Sequence, residues 1–271
     1  MTTTAPVADL HLHTTASDGV LTVETLPAAA RRAGVDWVAV TDHDIVHPEL
    51  SAPVTIHDGI TVVRGIELRV DAGPLTVDLL GYGVDPTPEL ASELTRLQDD
   101  RRDRGQRIID RVESHLGVDL DIEPRSGIGR PHIARAIADS DAPYDVSGAF
   151  ADLIGEDGPC YVARSITPVD RGVDLLSDSC GLVSLAHPFR YPDPEAALEL
   201  TADLDAVEYH YPYDHWEETF SLDPICEERE LLITGGSDAH DTELGRAGLD
   251  GEAFEAFRRR LDRTVGLPTN L

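Results

Sequence analysis

The stretch "DLHLHTTASDG", residues 9–19, places two histidines one residue apart and an aspartate five positions later. In a β-strand alternate side chains point to the same side, so His11 and His13 share one side with Asp9, while the intervening leucines point to the other. Two imidazoles at one strand end are well placed to share a metal ion, and Asp18 is a further candidate ligand. The pair alone is a weak signal, so its meaning depends on the other histidines and acids of the chain.

Several later apolar runs also end in histidine or a carboxylate. They contain "TDHD" (41–44), "GIEL" (65–68), "LAHP" (185–188) and "GSDAH" (236–240). In βα barrels the carboxyl ends of the strands form the functional face, so we expect these side chains to converge. The candidate metal ligands are His11, His13, Asp18, His43, Glu67, His187, Asp238 and His240.

The type and number of these ligands indicate which ions they would hold. Imidazole and carboxylate ligands with no cysteine nearby favour Mn²⁺, with Fe²⁺ or Zn²⁺ as alternatives. Eight ligands are too many for one ion. We therefore expect two or three divalent ions, with Glu67 as a bridging ligand.

The pattern of the chain predicts an α/β fold. Short β-rich apolar runs alternate with helical segments, and the first helix candidate ends at Gly34, a spacing typical of parallel βα units. Residues 85–180 are largely helical by periodicity, so we expect a helical insertion in a βα core formed by 1–84 and 181–271. The C-terminal helix is expected to pack on this core through Phe254, Phe257 and Leu261.

The charge of the chain is unusual. Asp and Glu number 51 against 22 Lys and Arg, for a net charge of −29, and every one of the basic residues is arginine. Self-repulsion of this size destabilises a compact fold in ordinary salt but is screened at molar salt. The composition therefore indicates a cytoplasm kept at high salt. It also argues against a broad basic surface for nucleic acid, so an anionic substrate must be attracted locally.

Several function classes are excluded or disfavoured by composition. Without lysine there is no P-loop lysine, no Schiff-base lysine and no carbamylated lysine bridging two metals. No apolar run is long enough to span a bilayer, and we see no secretion signal, so a cytoplasmic protein without a membrane partner is expected. The widely spaced Cys160, Cys180 and Cys226 fit ordinary thiols in a reducing compartment.

The ordered set of motifs resembles the PHP superfamily, the polymerase and histidinol phosphatase group of metal-dependent phosphoesterases. This resemblance implies a distorted seven-stranded βα barrel with a metal cluster at its centre. It implies one ion on His11, His13, Glu67 and Asp238, a second on Glu67, His187 and another histidine, and a third on Asp18, His43 and His240. The stretches "RPHIARAI", "GPCYVAR" and "AHPFRY" are similar to stand-alone members that act on nucleotides and RNA, including 3′,5′-nucleotide bisphosphatases and 5′-to-3′ exonucleases.

One position departs from the family. Related chains often carry "HLLGYG" where this chain has "DLLGYG", so Asp78 stands where a histidine ligand is expected. Asp78 could ligate the second ion itself, or it could hold a ligand histidine in place without contacting the ion. His132 of "RPHIA" could complete the site instead, or the second site could bind its ion more weakly. His132 could also cap its own helix.

The chemistry that follows is hydrolysis of a phosphate ester by a metal-activated hydroxide. Arg130 and Arg190 are candidates for clamping phosphate, because guanidinium binds phosphate in bidentate fashion, and His210 is a candidate acid for the leaving group. The predicted substrate is a phosphorylated nucleotide or a 5′-phosphorylated RNA or DNA end. Two alternatives are a small-metabolite phosphatase of the histidinol phosphatase kind and a non-catalytic, metal-stabilised binding module. Surface or structural roles are expected for His47, His57, His115 and His215.

Overall fold

A computed structural model of the protein describes residues 6–213 and 221–267. The chain divides into two compact units, Met1–Ala91 with Thr167–Leu271, and Ser92–Ile166. The first unit contains the β-sheet, and the second is helical. Within the described residues, no helix combines the length and the apolar character needed to cross a bilayer.

A path of seven hydrogen-bonded strands forms the sheet, in the order β1-β2-β4-β5-β7-β8-β9. Two short strands, β3 and β6, attach to β4 beside this path. The seven strands of the path fall on apolar runs of the sequence, whereas these two do not. The runs are 7–13, 35–44, 60–68, 74–83, 181–188, 205–211 and 231–240. The strands are β1 Ala8–Leu12, β2 Trp37–Val40, β3 Val54–His57, β4 Ile60–Asp71, β5 Thr76–Tyr82, β6 Thr167–Pro168, β7 Leu182–Leu185, β8 Ala206–His210 and β9 Leu232–Gly235.

The direction of β5 differs from the parallel arrangement expected from the sequence. Strands β1, β2 and β4 are parallel, as are β7, β8 and β9, but β5 is antiparallel to both β4 and β7. The cause is the connection, because only residues 72–75 lie between β4 and β5, and so short a loop can join only antiparallel strands. As a result, the beginning of β5 lies at the same edge of the sheet as the ends of the parallel strands.

The sheet is curled, and its first strand approaches the segment that follows its last. Leu12 forms an isolated parallel bridge with Ala239, and the His13 N–H donates to the Ala239 carbonyl at 2.9 Å. Gly236 lies against β1 so closely that a Cβ atom there would be 2.2 Å from the His11 nitrogen. This is the α/β fold with a seven-stranded, curled sheet that the sequence predicts.

Helices of the first unit cover the sheet. The first helix, α1, ends before Gly34, whose φ of 76° is the left-handed conformation expected of a residue just past a helix end. Phe257 and Leu261 of the last helix are fully buried, and Phe254 packs edge-on against Trp37, as its predicted face requires. The helices are α1 Leu26–Ala33, α5 Val169–Ser177, α6 Pro194–Glu199, α7 Asp223–Arg229 and α8 Gly251–Val265.

The second unit has its own apolar core. It contains most of α2 (Pro88–Leu116), α3 (Arg130–Asp139), α4 (Val146–Ala149) and a π-helical turn, Phe150–Ile154. Ile108, Ile109 and Val112 of α2 are buried in this core, as their spacing predicts. The unit spans a shorter range than the 85–180 insertion expected from the sequence, since α5 belongs to the unit with the sheet.

Candidate metal centre

The two histidines of the first motif are fully buried at the end of β1. The His13 Nε2 lies 3.0 Å from Asp238 Oδ1 and 3.5 Å from Glu67 Oε2. The His11 Nε2 lies 3.4 Å from Glu67 Oε1 and 3.5 Å from Asp238 Oδ1. Residues more than two hundred positions apart thus meet at one point, because the curled sheet brings the ends of β1 and β9 together.

Glu67 lies at the centre of the group. Its carboxylate oxygens are 2.6 Å from His43 Nδ1 and 3.1 Å from His187 Nε2, besides their contacts to the histidines of β1. The side chain is buried, and its surroundings are imidazoles supplied by three different strand ends. This is the position that a bridging carboxylate occupies in a multinuclear metal site.

Four sets of side chains have ligand atoms within 4.8 Å of one another. Together they contain all eight ligands predicted from the strand ends, and Asp78 in addition. The sets are His13, Asp18, His43 and His240; His11, His187 and Asp238; His11, His13 and Glu67; and Glu67, Asp78 and His187. The last set puts Asp78 beside the two residues that the resemblance assigns to the second ion.

The chemistry of these side chains fits divalent cations. Several of their nitrogen and oxygen atoms are buried and have no hydrogen-bond partner among the described residues, which is costly unless a bound ion satisfies them. These atoms are His11 Nε2, His13 Nδ1, Asp18 Oδ1, Glu67 Oε2 and His187 Nδ1. Glu67 Oε2 is one of them although it lies 2.6 Å from His43 Nδ1, because that contact does not have the geometry of a hydrogen bond. With imidazole and carboxylate donors around them, the residues form a suitable set of metal ligands.

Backbone conformation supports the same conclusion. His187 has a φ of 27° and Asp238 a φ of 50°, both in the left-handed region that non-glycine residues rarely adopt. Conformations of this kind persist only where the surrounding structure enforces them, and they concentrate at functional sites. His187 lies two residues after the end of β7 and Asp238 three residues after the end of β9, so the unusual backbone occurs in the segments that carry these two side chains.

Buried carboxylates outside the ligand sets hold the ligands in place. Glu208 accepts from His11 Nδ1 at 3.0 Å and from the His187 N–H at 2.8 Å. Asp42 accepts from the Thr14 N–H and hydroxyl, each at 2.7 Å, and so fixes the start of the loop that carries Asp18. Glu208 was not among the site residues predicted from the sequence. Because side chains alternate along a strand, its position two residues before the predicted candidate His210 in β8 was the available signal.

Asp78 has a strong partner that the sequence did not reveal. Arg69 Nε donates to Asp78 Oδ1 at 2.7 Å, and Arg69 Nη2 donates to Oδ2 at 2.6 Å. The two residues are direct partners in the β4–β5 register. The Asp78 N–H also donates to the Tyr191 hydroxyl at 2.8 Å, so both its backbone and its side chain are fixed.

The pKa shifts show how these charges influence one another. Burial alone would lower the pKa of His11, but the carboxylates of Glu208, Asp238 and Glu67 raise it well above its ordinary value. Burial alone would raise the pKa of Glu67, yet His43 and His11 hold it well below its ordinary value. Burial alone would lower the pKa of His240, but the hydrogen bond and the charge of Asp18 raise it to about 9. The Glu67 carboxylate is therefore ionised, and the surrounding imidazoles offset its charge.

Arg190 lies at the edge of the centre. Its Nη1 donates to Asp238 Oδ2 at 3.0 Å and to the Tyr211 hydroxyl at 2.9 Å, and about half of its side chain is exposed. The Tyr211 hydroxyl donates to the same Asp238 oxygen at 2.8 Å. A half-exposed guanidinium fixed beside a ligand carboxylate is well placed to meet an incoming phosphate.

Other predicted site residues lie elsewhere in the structure. In the helical unit, Arg130 donates to the Ile154 carbonyl at 3.3 Å, and His132 Nδ1 accepts from the Gly129 N–H at the start of its own helix. His210 is exposed at the end of β8 and belongs to none of the four ligand sets. The roles of these three residues in catalysis or metal binding stay predictions. His215 lies outside the described residues.

Comparison with known proteins identifies the family. The model of the PHP domain matches residues 9–146, just over half of the chain. The chain belongs to the PHP family. A Chromobacterium violaceum protein named 3′,5′-nucleoside bisphosphate phosphatase is 30% identical over 217 residues, covering 73% of each chain. An Escherichia coli protein named 5′-3′ exoribonuclease is 29% identical over 271 residues, covering 91% of this chain and 92% of its own.

The fold of this PHP protein also has a close counterpart among solved structures. A protein from Bifidobacterium adolescentis superposes with a TM-score of 0.79 over 98% of this chain and 99% of its own, at 24% identity. The likeness confirms the fold class predicted from the strand and helix pattern. The resemblance inferred from the motifs is likewise confirmed by the family match.

Proposed function

We propose that this PHP protein is a metal-dependent phosphoesterase that hydrolyses a phosphate ester of a nucleotide or of a 5′-phosphorylated nucleic-acid end. The observation that carries the proposal is the convergence of nine imidazole and carboxylate side chains, Glu67 among them, several of which have buried donor atoms without a hydrogen-bond partner among the described residues. The relatives, named as a bisphosphate phosphatase and an exoribonuclease, are hydrolases of phosphate esters. They support both the reaction and the substrate class.

The residues of the centre have separable roles in this reaction. When bound, divalent ions supply a nucleophile from water at neutral pH and neutralise charge on the phosphate. We propose three ion positions from these sets and contacts: one on His11, His13, Glu67 and Asp238, one on Glu67, Asp78 and His187, and one on Asp18, His43 and His240. We propose Mn²⁺ as the native ion, because the ligands are imidazole and carboxylate without thiolate.

Arg190 orients the substrate in this proposal. Its guanidinium is held by Asp238 and Tyr211, so it is fixed before the substrate arrives, and its exposed half faces solvent. In a chain with a net charge of −29, an anionic substrate needs such a local cation beside the bound metal. A nucleotide or a nucleic-acid end carries the phosphate that this arrangement would bind.

The test is a phosphate-release assay on the purified chain in molar salt with Mn²⁺. The substrates are a 3′,5′-bisphosphorylated nucleotide, a 5′-phosphorylated RNA and histidinol phosphate. We expect turnover of the first or second substrate, and a loss of at least about a hundredfold in His13→Gln because a metal ligand is removed. His57→Gln, on β3 and in none of the ligand sets, is the matched control and should keep wild-type activity.

Two results would contradict the proposal. Turnover of histidinol phosphate alone would assign the protein to small-metabolite phosphatases. Absence of turnover on all three substrates, with Mn²⁺ bound, would leave a metal-stabilised binding module.

A further inference from the structure

The pair of Arg69 and Asp78 bears directly on metal binding. Both oxygens of the Asp78 carboxylate accept from the Arg69 guanidinium, in the bidentate geometry that gives arginine–carboxylate pairs their strength. The same carboxylate faces the proposed metal position, with Oδ2 at 3.8 Å from His187 Nε2. The Asp78 carboxylate therefore pairs with the Arg69 guanidinium and also faces the proposed metal position.

The other ligand carboxylates are less engaged by arginine. Asp238 divides its oxygens, since Oδ2 accepts from Arg190 and Tyr211 while Oδ1 faces the histidines of the centre. Among the described residues, neither Glu67 nor Asp18 accepts a hydrogen bond from an arginine. Of the four ligand carboxylates, all of them among the described residues, Asp78 alone has both oxygens occupied by a guanidinium, so the metal position that uses it differs in kind from the other two.

Arg69 is held firmly in this competing position. Its backbone N–H donates to Asp44 Oδ1 at 3.1 Å, and it faces Asp78 directly in the β4–β5 register. The Asp78 carboxylate is buried beside this guanidinium, with 1% of its side chain exposed. Because arginine stays protonated in proteins, an ion at this position must attract Asp78 against a fixed positive charge.

We propose that Arg69 competes with the metal for Asp78 and thereby makes the position bounded by Glu67, Asp78 and His187 the weakest metal position of the centre. This inference rests on the metal centre in the proposed function. It gives the departure at position 78 a physical meaning, since a histidine there would make no bidentate pair with Arg69. Occupancy of the position would then follow the concentration of free Mn²⁺ while the other positions stay filled.

The first test uses the wild-type chain and Mn²⁺ alone, with no substrate. Chelator-stripped protein in molar salt is titrated, and free Mn²⁺ is measured from its electron paramagnetic resonance signal. We expect a tight class of bound ions and one further ion at least about tenfold weaker, the lower end of the effect of ligand partners on metal affinity. Ions of equal affinity, or no weaker ion, would overturn the inference even if the protein is an active phosphoesterase.

The second test changes the pair. Arg69→Met removes the guanidinium and should tighten the weak class by about tenfold, whereas Arg69→Lys, which keeps the charge but loses the fork, should give an intermediate value. Arg260→Met is the matched control, because Arg260 also pairs with a carboxylate, that of Asp205 just before β8, and belongs to none of the ligand sets. The Arg260 side chain is 37% exposed, against 39% for Arg69. Arg260→Met should leave Mn²⁺ binding unchanged.

The outcomes separate the alternatives. Unchanged or weaker Mn²⁺ binding in a folded Arg69→Met would show that Arg69 only stabilises the hairpin, and the inference would fail. If Arg69→Met does not fold, Arg69→Lys and the wild-type titration still decide the question. Phosphate release is measured separately, so a failure of the proposed function does not hide the result on binding.

Discussion

Glu208 shows how one side chain organises two ligands. By accepting from His11 Nδ1, it directs the Nε2 lone pair of that imidazole toward Glu67 and Asp238, where a metal would bind. Its other oxygen accepts from the backbone N–H of His187, the residue with the strained φ of 27°. A single buried carboxylate thus fixes both the tautomer of one ligand and the backbone of another.

Glu208→Gln should weaken Mn²⁺ binding by roughly 10- to 100-fold, the usual effect of removing the partner of a metal-binding histidine. The amide keeps an acceptor oxygen but loses the charge that favours the correct tautomer. Calorimetric titration with Mn²⁺ measures the change, and Glu252→Gln on the exposed side of α8 is the control. Mn²⁺ affinity equal to that of the wild type would mean that Glu208 plays no part in orienting His11.

Among the structural elements, the segment after β9 determines how closely the two ends of the sheet approach. Gly236 allows this approach, because any side chain there would collide with the backbone of His11. The neighbouring Asp238 then reaches the histidines of β1. Packing of the sheet therefore requires Gly236, the glycine of "GSDAH", independently of the candidate ligands that follow it in the motif.

Gly236→Ala should lower the free energy of unfolding by about 1–3 kcal/mol, as expected when a methyl group is forced into a packed region, and should also weaken Mn²⁺ binding. Urea denaturation with and without Mn²⁺ measures both effects. Gly148→Ala in α4 is the control, since the nearest atom to a Cβ there is 3.3 Å away, in the exposed side chain of Asp145, against 2.2 Å to backbone at Gly236. Equal stability of the two variants would contradict this account of the sheet closure.

Elements that are buried along their whole length were predictable from the sequence, whereas details of their pairing were not. All seven strands of the main path coincide with apolar runs, and several of these runs end in histidine, aspartate or glutamate. The antiparallel direction of β5 depends on the short 72–75 connection, which alternation of side chains does not reveal. Strand β6 has only two residues, too few for any periodic signal.

The site was predictable in the same uneven way. Ligands at strand ends could be recognised, because a repeated motif at independent strands is itself evidence of convergence. The role of Arg69 could not, since it depends on a register between β4 and β5 that no spacing rule specifies. Glu208 was hidden for a similar reason, because its partner His11 lies 197 positions away.

At the scale of the whole molecule, charge is the dominant feature. A net charge of −29 on 271 residues produces self-repulsion that protein contacts must overcome. Part of the negative charge is concentrated in the buried centre, where histidines and two arginines offset it. Exposed acidic side chains of the described residues carry further negative charge, which dissolved ions screen.

The melting temperature should therefore rise as KCl increases from about 0.1 M to about 1 M, because the screening length falls from about 10 Å to about 3 Å. Thermal unfolding followed by circular dichroism measures the change. Sucrose in place of KCl controls for general solvent effects, since it leaves charges unscreened. A melting temperature independent of KCl would show that surface repulsion contributes little to stability.

The position of Arg69 opposite Asp78 has an evolutionary consequence. Side chains alternate along a strand, so a slip of one residue between β4 and β5 would send Asp78 to the other face of the sheet. The pair therefore specifies how the hairpin is aligned at the same time as it adjusts a ligand of the centre. Descendants of this chain that replace one member of the pair are expected to replace the other, because a change of either residue alone would alter both the alignment of the hairpin and the affinity for the ion.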